Sequence, residues 1–199
     1  MPSPPTTQTI LITGATRGLG RGLTAHYLAR PSTTVIACIR APTSPAALSL
    51  HTLPTGPSSR LLLLPMDAAS EPSVTAALAT LPTHGIDTLT LVIANAAAAG
   101  PVGRLEGVDA GAVAAAVVGT GLGPLWVWRG SVGMLRRGGG KFVAVGSDMG
   151  SVGLVGGGTG AVPLGAYGAG KAVVNYVVAR VAVEERGVVG GYGGGEEVD

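Results

Sequence analysis

The chain alternates short, continuous apolar runs with longer stretches in which apolar residues recur every three or four positions. Five of the runs read as strands, over residues 8–12, 34–39, 61–65, 88–94 and 141–146. As a set they are continuous rather than alternating, which suits a parallel sheet covered on both faces. Helical periodicity lies between them, at residues 18–30, 72–81 and 109–135. A poorer helical pattern lies near 44–50, and a further helix opens near Tyr167 and runs to residue 186. Repeated strand–helix alternation predicts an α/β domain over residues 1–186, with a doubly wound parallel sheet in three αβα layers. Ligands of such folds sit beyond the carboxyl ends of the strands. Gly14, Arg40, Asp67, Asn95 and Ser147 all fall at such ends, an agreement that weighs more than any one motif. After Glu185 the periodicity stops, and the Gly-rich RGVVGGYGGGEEVD reads as a flexible tail, residues 187–199 lying outside the domain.

The 199 residues fit one domain whose core can form without disulfides. Cys38 is the only cysteine, which excludes an intrachain disulfide and favours a reducing, cytoplasmic setting. A net charge of +2, with no run of Lys or Arg, gives no electrostatic footprint for nucleic acid. The opening MPSPPTTQ lacks the basic and apolar segments of a signal peptide. Residues 110–128 carry no charge and nearly reach the length of a membrane span, but Gly119, Gly121, Gly123 and Pro124 interrupt them. They are expected to form a helix covered by the sheet and a partner subunit rather than to enter a bilayer. His26, His51 and His84 show no ligand spacing with Cys or acids, so no metal is expected.

The stretch TGATRGLG, between the first strand and the first helix, asks the backbone to turn sharply and approach something closely. Gly14 is expected in the left-handed conformation, with Gly18 and Gly20 leaving no side chain between the backbone and a bound group. The N–H groups and positive dipole end of the new helix then suit a pyrophosphate. An ordinary strand-to-helix turn would use the same residues, and glycine spacing alone does not separate the two.

Tyr167 and Lys171, in AYGAGKAVVNY, stand one helical turn apart on one face. A phenol titrates near 10 and is a poor acid–base group at neutral pH, but a neighbouring ammonium favours the phenolate and brings the group into range. Ser147, just past a strand, offers a hydroxyl to a substrate oxygen. The pair by itself is better served by packing of Tyr167 and solvation of Lys171; the glycine loop and Ser147 reverse that preference toward chemistry. An acid about 20 residues past the loop would bind the ribose 2′-OH of NAD. Ile39 and Arg40 stand there instead, with Arg17 inside the loop, and two cations without an acid suit a 2′-phosphate.

In order along the chain, TGATRGLG, Asp67 in MDAAS, IANAAAAG, VGSDMG and YGAGK together resemble the short-chain dehydrogenase/reductases. The resemblance runs from about Gln8 to Glu185. Finer stretches such as VIANA, LGPL and VPLGAYGAGKAVVNY are similar to fungal ketoreductases of the norsolorinic acid ketoreductase type. The resemblance implies a Rossmann-type fold and an NADP(H)-dependent reductase acting on a small-molecule carbonyl or alcohol, with a polyketide or aromatic compound as the substrate class. It implies that Tyr167 donates a proton to the substrate carbonyl, which Ser147 orients. Lys171 would bind the nicotinamide ribose and lower the Tyr167 pKa. Gly14, Thr16, Arg17, Gly18, Leu19 and Gly20 would hold the cofactor together with Arg40, Asp67, Asn95, Tyr167 and Lys171, Asp67 at the adenine and Asn95 at the wall beside it.

Three departures from the family pattern stand out. Where the family commonly has NNAG, this chain has Ala94, Asn95, Ala96 and Ala97. The helix ahead of LGPL carries Thr120 where the family has a proton-relay asparagine, and a hydroxyl is not expected to offer that amide's paired donor and acceptor. Past the Tyr167 helix there is only VVGGYGGGEEVD where the family continues with a further strand, a substrate-covering segment and a last strand. The expectation is therefore a sheet without the family's last strands and a homo-oligomer of low stability, paired through the helices at 109–135 and 167–186. The alternative is a nucleotide-binding remnant with weak or absent turnover. The terminal EEVD also resembles the motif by which cytosolic chaperones engage TPR domains, which gives a third reading that needs no cofactor.

Overall fold

The computed structural model describes residues 7–155 and 163–185. Five strands, β1 (Gln8–Thr13), β2 (Thr33–Ile39), β3 (Arg60–Pro65), β4 (Leu91–Ala94) and β5 (Lys141–Ala144), form one sheet in the order β3-β2-β1-β4-β5. Every pairing is parallel; Leu11 of β1 lies beside Ile36 of β2 and Val92 of β4. All seven residues of β2 are buried, as its continuous apolar character predicts.

The helices are α1 (Gly18–Leu28), α2 (Pro45–Leu48), α3 (Glu71–Ala79), α4 (Ala110–Ala116), α5 (Gly123–Gly138), α6 (Val152–Val155) and α7 (Gly165–Glu184). Alternate strand residues point to opposite faces and build two cores. Ile10, Ile12, Val35 and Ala37 pack with Leu28 of α1 and Ala47 of α2. Leu11, Ile36, Leu64 and Val92 pack on the other face with Val74 of α3, Leu135 of α5 and Val178 of α7. Trp128 of α5 meets Phe142 of β5 edge to face, with ring centroids 5.3 Å apart. The result is the three-layer, doubly wound α/β domain expected from the alternation. The sheet's order reverses between β1 and β4, so the crevice at the carboxyl ends opens there.

Local chemistry sets the helix starts. Ser70 accepts the Ser73 N–H at the head of α3 and Ser44 that of Ala47 at the head of α2, each just ahead of a proline in the first turn. Two sequence expectations shift. The fourth strand begins at Leu91 rather than at residue 88, because the Leu89 N–H is taken by the Met134 carbonyl of α5 and the Thr90 side chain pairs with the backbone of Thr9. The helix read over 109–135 runs over Ala110–Gly138 but contains a π-turn at Val117–Leu122 between α4 and α5. Pro124 has no N–H to give and its ring would strike the carbonyl four residues back, so the ladder widens there. By length and mean hydropathy (1.6) this run could cross a bilayer, yet Val127, Trp128, Met134 and Leu135 are committed to the core beneath the sheet. The expected tail and its EEVD end lie outside the described residues.

Candidate active site

A cleft of about 400 Å³ opens at the carboxyl ends of β1, β2, β3 and β4. Gly14 turns the chain out of β1 with φ +66°, and Gly18 opens α1 with φ +52°, both in the region glycine favours. The cleft is also lined by Thr16 and Arg17 from the same loop, and by Arg40, Asp67 and Asn95 from the next three strand ends. Two of the loop residues singled out from the sequence serve differently. Leu19 is 58 % exposed and does not line the cleft. Gly20 lies beneath the loop: a Cβ there would stand 2.3 Å from the Gly14 carbonyl oxygen and 2.6 Å from Asn95 Nδ2. Its missing side chain makes room for the loop itself.

Asn95 is committed to the same loop. Its amide donates to the carbonyls of Thr13 (3.0 Å) and Gly14 (3.4 Å), while Thr13 Oγ1 accepts the N–H groups of Asn95 (3.0 Å) and Ala96 (2.9 Å). Thr13 is fully buried, and its hydroxyl ties β1 to β4 where the sheet ends. The Asp67 carboxylate accepts the Ala69 N–H at 3.0 Å and otherwise faces the cleft. Arg17 and Arg40 are exposed on the lining, and neither guanidinium has an ion-pair or hydrogen-bond partner among the described residues. The α1 N-terminus carries no side-chain cap and no acid in its first turn, so its orphan N–H groups and dipole are left for an anion. Cys38 lies on the cleft floor, where burial raises its thiol pKa and keeps it protonated.

Tyr167, Lys171 and Asn175 follow one another along a single face of α7. Lys171 is only 3 % exposed, and its ammonium donates to the Val145 carbonyl just past β5. The same ammonium lies 5.7 Å from the centre of the Tyr167 ring. Burial lowers the Lys171 pKa from its ordinary range. The Tyr167 phenol is half-buried and has no hydrogen-bond partner among the described residues. Ser147 continues the same segment as Val145. Its hydroxyl accepts the Met149 N–H at 3.2 Å and donates to Asp148 Oδ1 at 3.3 Å, and its carbonyl accepts from Asn175 Nδ2 at 3.0 Å. The structure thus gathers Ser147, Tyr167 and Lys171 around the end of β5, and the glycine loop, Arg40, Asp67 and Asn95 around the ends of β1 to β4.

The Thr120 hydroxyl is committed to the backbone of Ala98. It is buried, donates to the Ala98 carbonyl and accepts the Ala98 N–H, each at 3.2 Å. One hydroxyl has a proton and two lone pairs, so it does present the paired donor and acceptor that an amide would. Thr13 and Asn175 were not legible as site residues. The only signals were a threonine closing the apolar run ahead of the glycine turn, and a lone amide four residues after Lys171 in an apolar helix.

The sequence pattern of the short chain dehydrogenase family matches residues 8–188. A short chain dehydrogenase of Penicillium aethiopicum is 36 % identical over 185 residues, covering 91 % of this chain and 72 % of that protein. The norsolorinic acid ketoreductase of Dothistroma septosporum is 35 % identical over 182 residues, covering 89 % of this chain and 67 % of its own length. Among solved structures, an NADPH-bound carbonyl reductase from chicken fatty liver superposes with a TM-score of 0.80 at 22 % identity, covering 92 % of this chain and 76 % of that one. That likeness speaks to the fold alone. The chain belongs to the short chain dehydrogenase family, the oxidoreductases that interconvert CH–OH and C=O groups.

Proposed function

We propose that this protein is a ketoreductase that uses NADPH to reduce the carbonyl of a polyketide-like or aromatic small molecule. The observation that carries the reading is the stack on α7, where Tyr167 presents a phenol without a hydrogen-bond partner among the described residues and the Lys171 ammonium is held beside its ring by the Val145 carbonyl. The cofactor fits the residues present. Gly14 and the uncapped start of α1 offer a pyrophosphate cradle, and Arg17 and Arg40 are two guanidiniums, unpaired among the described residues, that suit a 2′-phosphate. Asp67, on the same cleft, would contact the adenine. When bound, the nicotinamide supplies the hydride.

The chain's own residues then position and protonate. Ser147 hydrogen-bonds the substrate carbonyl oxygen and fixes its direction. Tyr167 delivers its phenolic proton to that oxygen as the carbon is reduced, and the Lys171 ammonium eases the loss by favouring the phenolate. Asn95 and Thr13 keep the glycine loop in place, and Thr120 keeps Ala98 at the opposite wall. The substrate class rests on the ketoreductase among the relatives.

The protein is further expected to act as a homo-oligomer. Tyr176 and Val183 on the outer face of α7 are 73 % and 62 % exposed, an apolar surface that a second copy would cover. Sedimentation should give a dimer or larger species, and Tyr176→Glu should shift it toward monomer. A wild-type monomer removes this part of the proposal.

The deciding experiment follows NADPH absorbance with a panel of aromatic ketones and quinones. Turnover with at least one substrate supports the reading. NADPH binding with no turnover across the panel would leave a nucleotide-binding protein, and absence of binding would end the proposal.

A further inference from the structure

We infer that Asn175 is a positioning residue, which sets Ser147 against Tyr167 by holding the backbone that carries Ser147 to helix α7. The inference rests on the reductase reading and adds to it a residue that the Ser147, Tyr167 and Lys171 arrangement does not include.

Past the end of β5, the segment Val145–Gly146–Ser147 leaves the sheet. The Val145 N–H makes the last ladder bond, to the Ala94 carbonyl at 3.0 Å. Beyond it, two side chains of α7 hold the segment: Lys171 donates to the Val145 carbonyl, and Asn175 donates to the Ser147 carbonyl at 3.0 Å. The spacing explains why both can reach. Residues four apart on a helix are separated by roughly one 5.4 Å turn. Carbonyls two residues apart in an extended chain point the same way and are separated by about 6.6 Å. Ser147 is extended, with φ −163° and ψ 143°. A helix face presenting donors at Lys171 and Asn175 therefore matches an extended segment presenting acceptors at Val145 and Ser147.

Gly146, between the two acceptors, fits the same arrangement. A Cβ there would stand 3.0 Å from Asn175 Oδ1, closer than ordinary contact, so the bare glycine lets the amide lie against the segment. Asn175 is 9 % exposed, and its Oδ1 is buried without a hydrogen-bond partner among the described residues. An amide kept in an apolar helix with its carbonyl oxygen unpartnered among the described residues is a poor choice for stability alone. Its one bond goes to the residue whose hydroxyl must meet the substrate. Tyr167 is on the same helix two turns earlier, so Asn175 sets the separation of the orienting hydroxyl and the proton donor. Lys171 shares that task from between them.

The test compares wild type, Asn175→Ala, Asn175→Asp, Ser147→Ala and the double variant Ser147→Ala/Asn175→Ala. Each is assayed for NADPH-dependent reduction of the best aromatic ketone or quinone and titrated with NADPH by fluorescence. Hydrogen exchange is followed over residues 145–151. Asn175→Asp keeps the shape and removes the donor, so it serves if the alanine variant does not fold. Loss of the Asn175 donor should lower kcat/KM by roughly 10- to 100-fold, as expected for misplacement of a reacting group by about 1 Å. NADPH affinity should stay within about twofold, because the amide acts through Ser147 and not on the cofactor. In the Ser147→Ala background the same loss should cost little more. Exchange at residues 145–151 should quicken in both Asn175 variants.

Wild-type kcat/KM in Asn175→Asp, or a full additional loss in the Ser147→Ala background, overturns the inference. If the wild type turns over no substrate, the reductase reading falls and exchange alone decides the tie: faster exchange upholds it, and unchanged exchange removes it.

Discussion

The single hydroxyl of Thr120 holds both backbone groups of Ala98, donating to the carbonyl and accepting the N–H at 3.2 Å each. Ala98 lines the cleft opposite the glycine loop, so this pair fixes one wall of the nucleotide site from a buried position on the π-turn. Thr120→Val keeps the β-branched shape and removes the hydroxyl. It should cost about 1 kcal/mol in denaturant unfolding, the net worth of a typical hydrogen bond, and weaken NADPH binding more than it weakens the fold. Thr120→Ser should restore both. Equal NADPH affinity in Thr120→Val would show that Ala98 is held by other means.

Arg40 offers a sharper test of cofactor choice. Its guanidinium lines the cleft with no partner among the described residues, whereas a carboxylate at that position would repel a 2′-phosphate and accept a 2′-hydroxyl. NADPH is expected to bind more tightly than NADH, and Arg40→Asp should narrow or reverse the order by roughly 10- to 100-fold, the worth of a charge-assisted pair. Fluorescence titration of both cofactors on both proteins reads this directly. A wild-type preference for NADH would count against the two-arginine reading.

Tyr167→Phe removes one oxygen and leaves the ring against Lys171. Turnover should fall by roughly 10²- to 10⁴-fold, the usual yield of general acid catalysis, with NADPH affinity nearly unchanged. Retained turnover would move the proton donor elsewhere.

Lys171 links pH to both activity and stability. Burial holds its pKa below the ordinary 10.5, so between the folded and unfolded values the unfolded chain binds more protons. Stability therefore rises with pH through that window, and the rise should be absent from Lys171→Met when the two are compared by denaturant unfolding from pH 8 upward. Reduction has the opposite dependence. It needs Lys171 charged, and that charge is lost as pH climbs, so kcat/KM should fall on the alkaline side. An apo protein whose stability difference from Lys171→Met is flat with pH would mean that the ammonium is not desolvated.

Much of the architecture was legible from local pattern. Continuous apolar runs that alternate with helical periodicity point to a parallel sheet with helices on both faces, and β2 is buried along its whole length as that arrangement requires. The positive-φ turn at Gly14 and the one-turn spacing of Tyr167 and Lys171 are also local properties, set by a residue type and by helix geometry. So was the arrival of Arg40, Asp67, Asn95 and Ser147 at strand ends, once the strands themselves had been placed. What only the tertiary structure decided are the contacts made across that sheet edge. Gly20 is bare because the Gly14 carbonyl and the Asn95 amide lie over it, 75 positions separating Gly20 from Asn95 in the chain. Thr120 satisfies Ala98 because the π-turn forced by Pro124 brings its hydroxyl there. Asn175 reaches Ser147 because α7 runs alongside the segment that leaves β5. Periodicity reports which face of an element is apolar; it carries no information on which distant backbone atom a buried polar side chain will meet, and at this site those meetings place the chemistry.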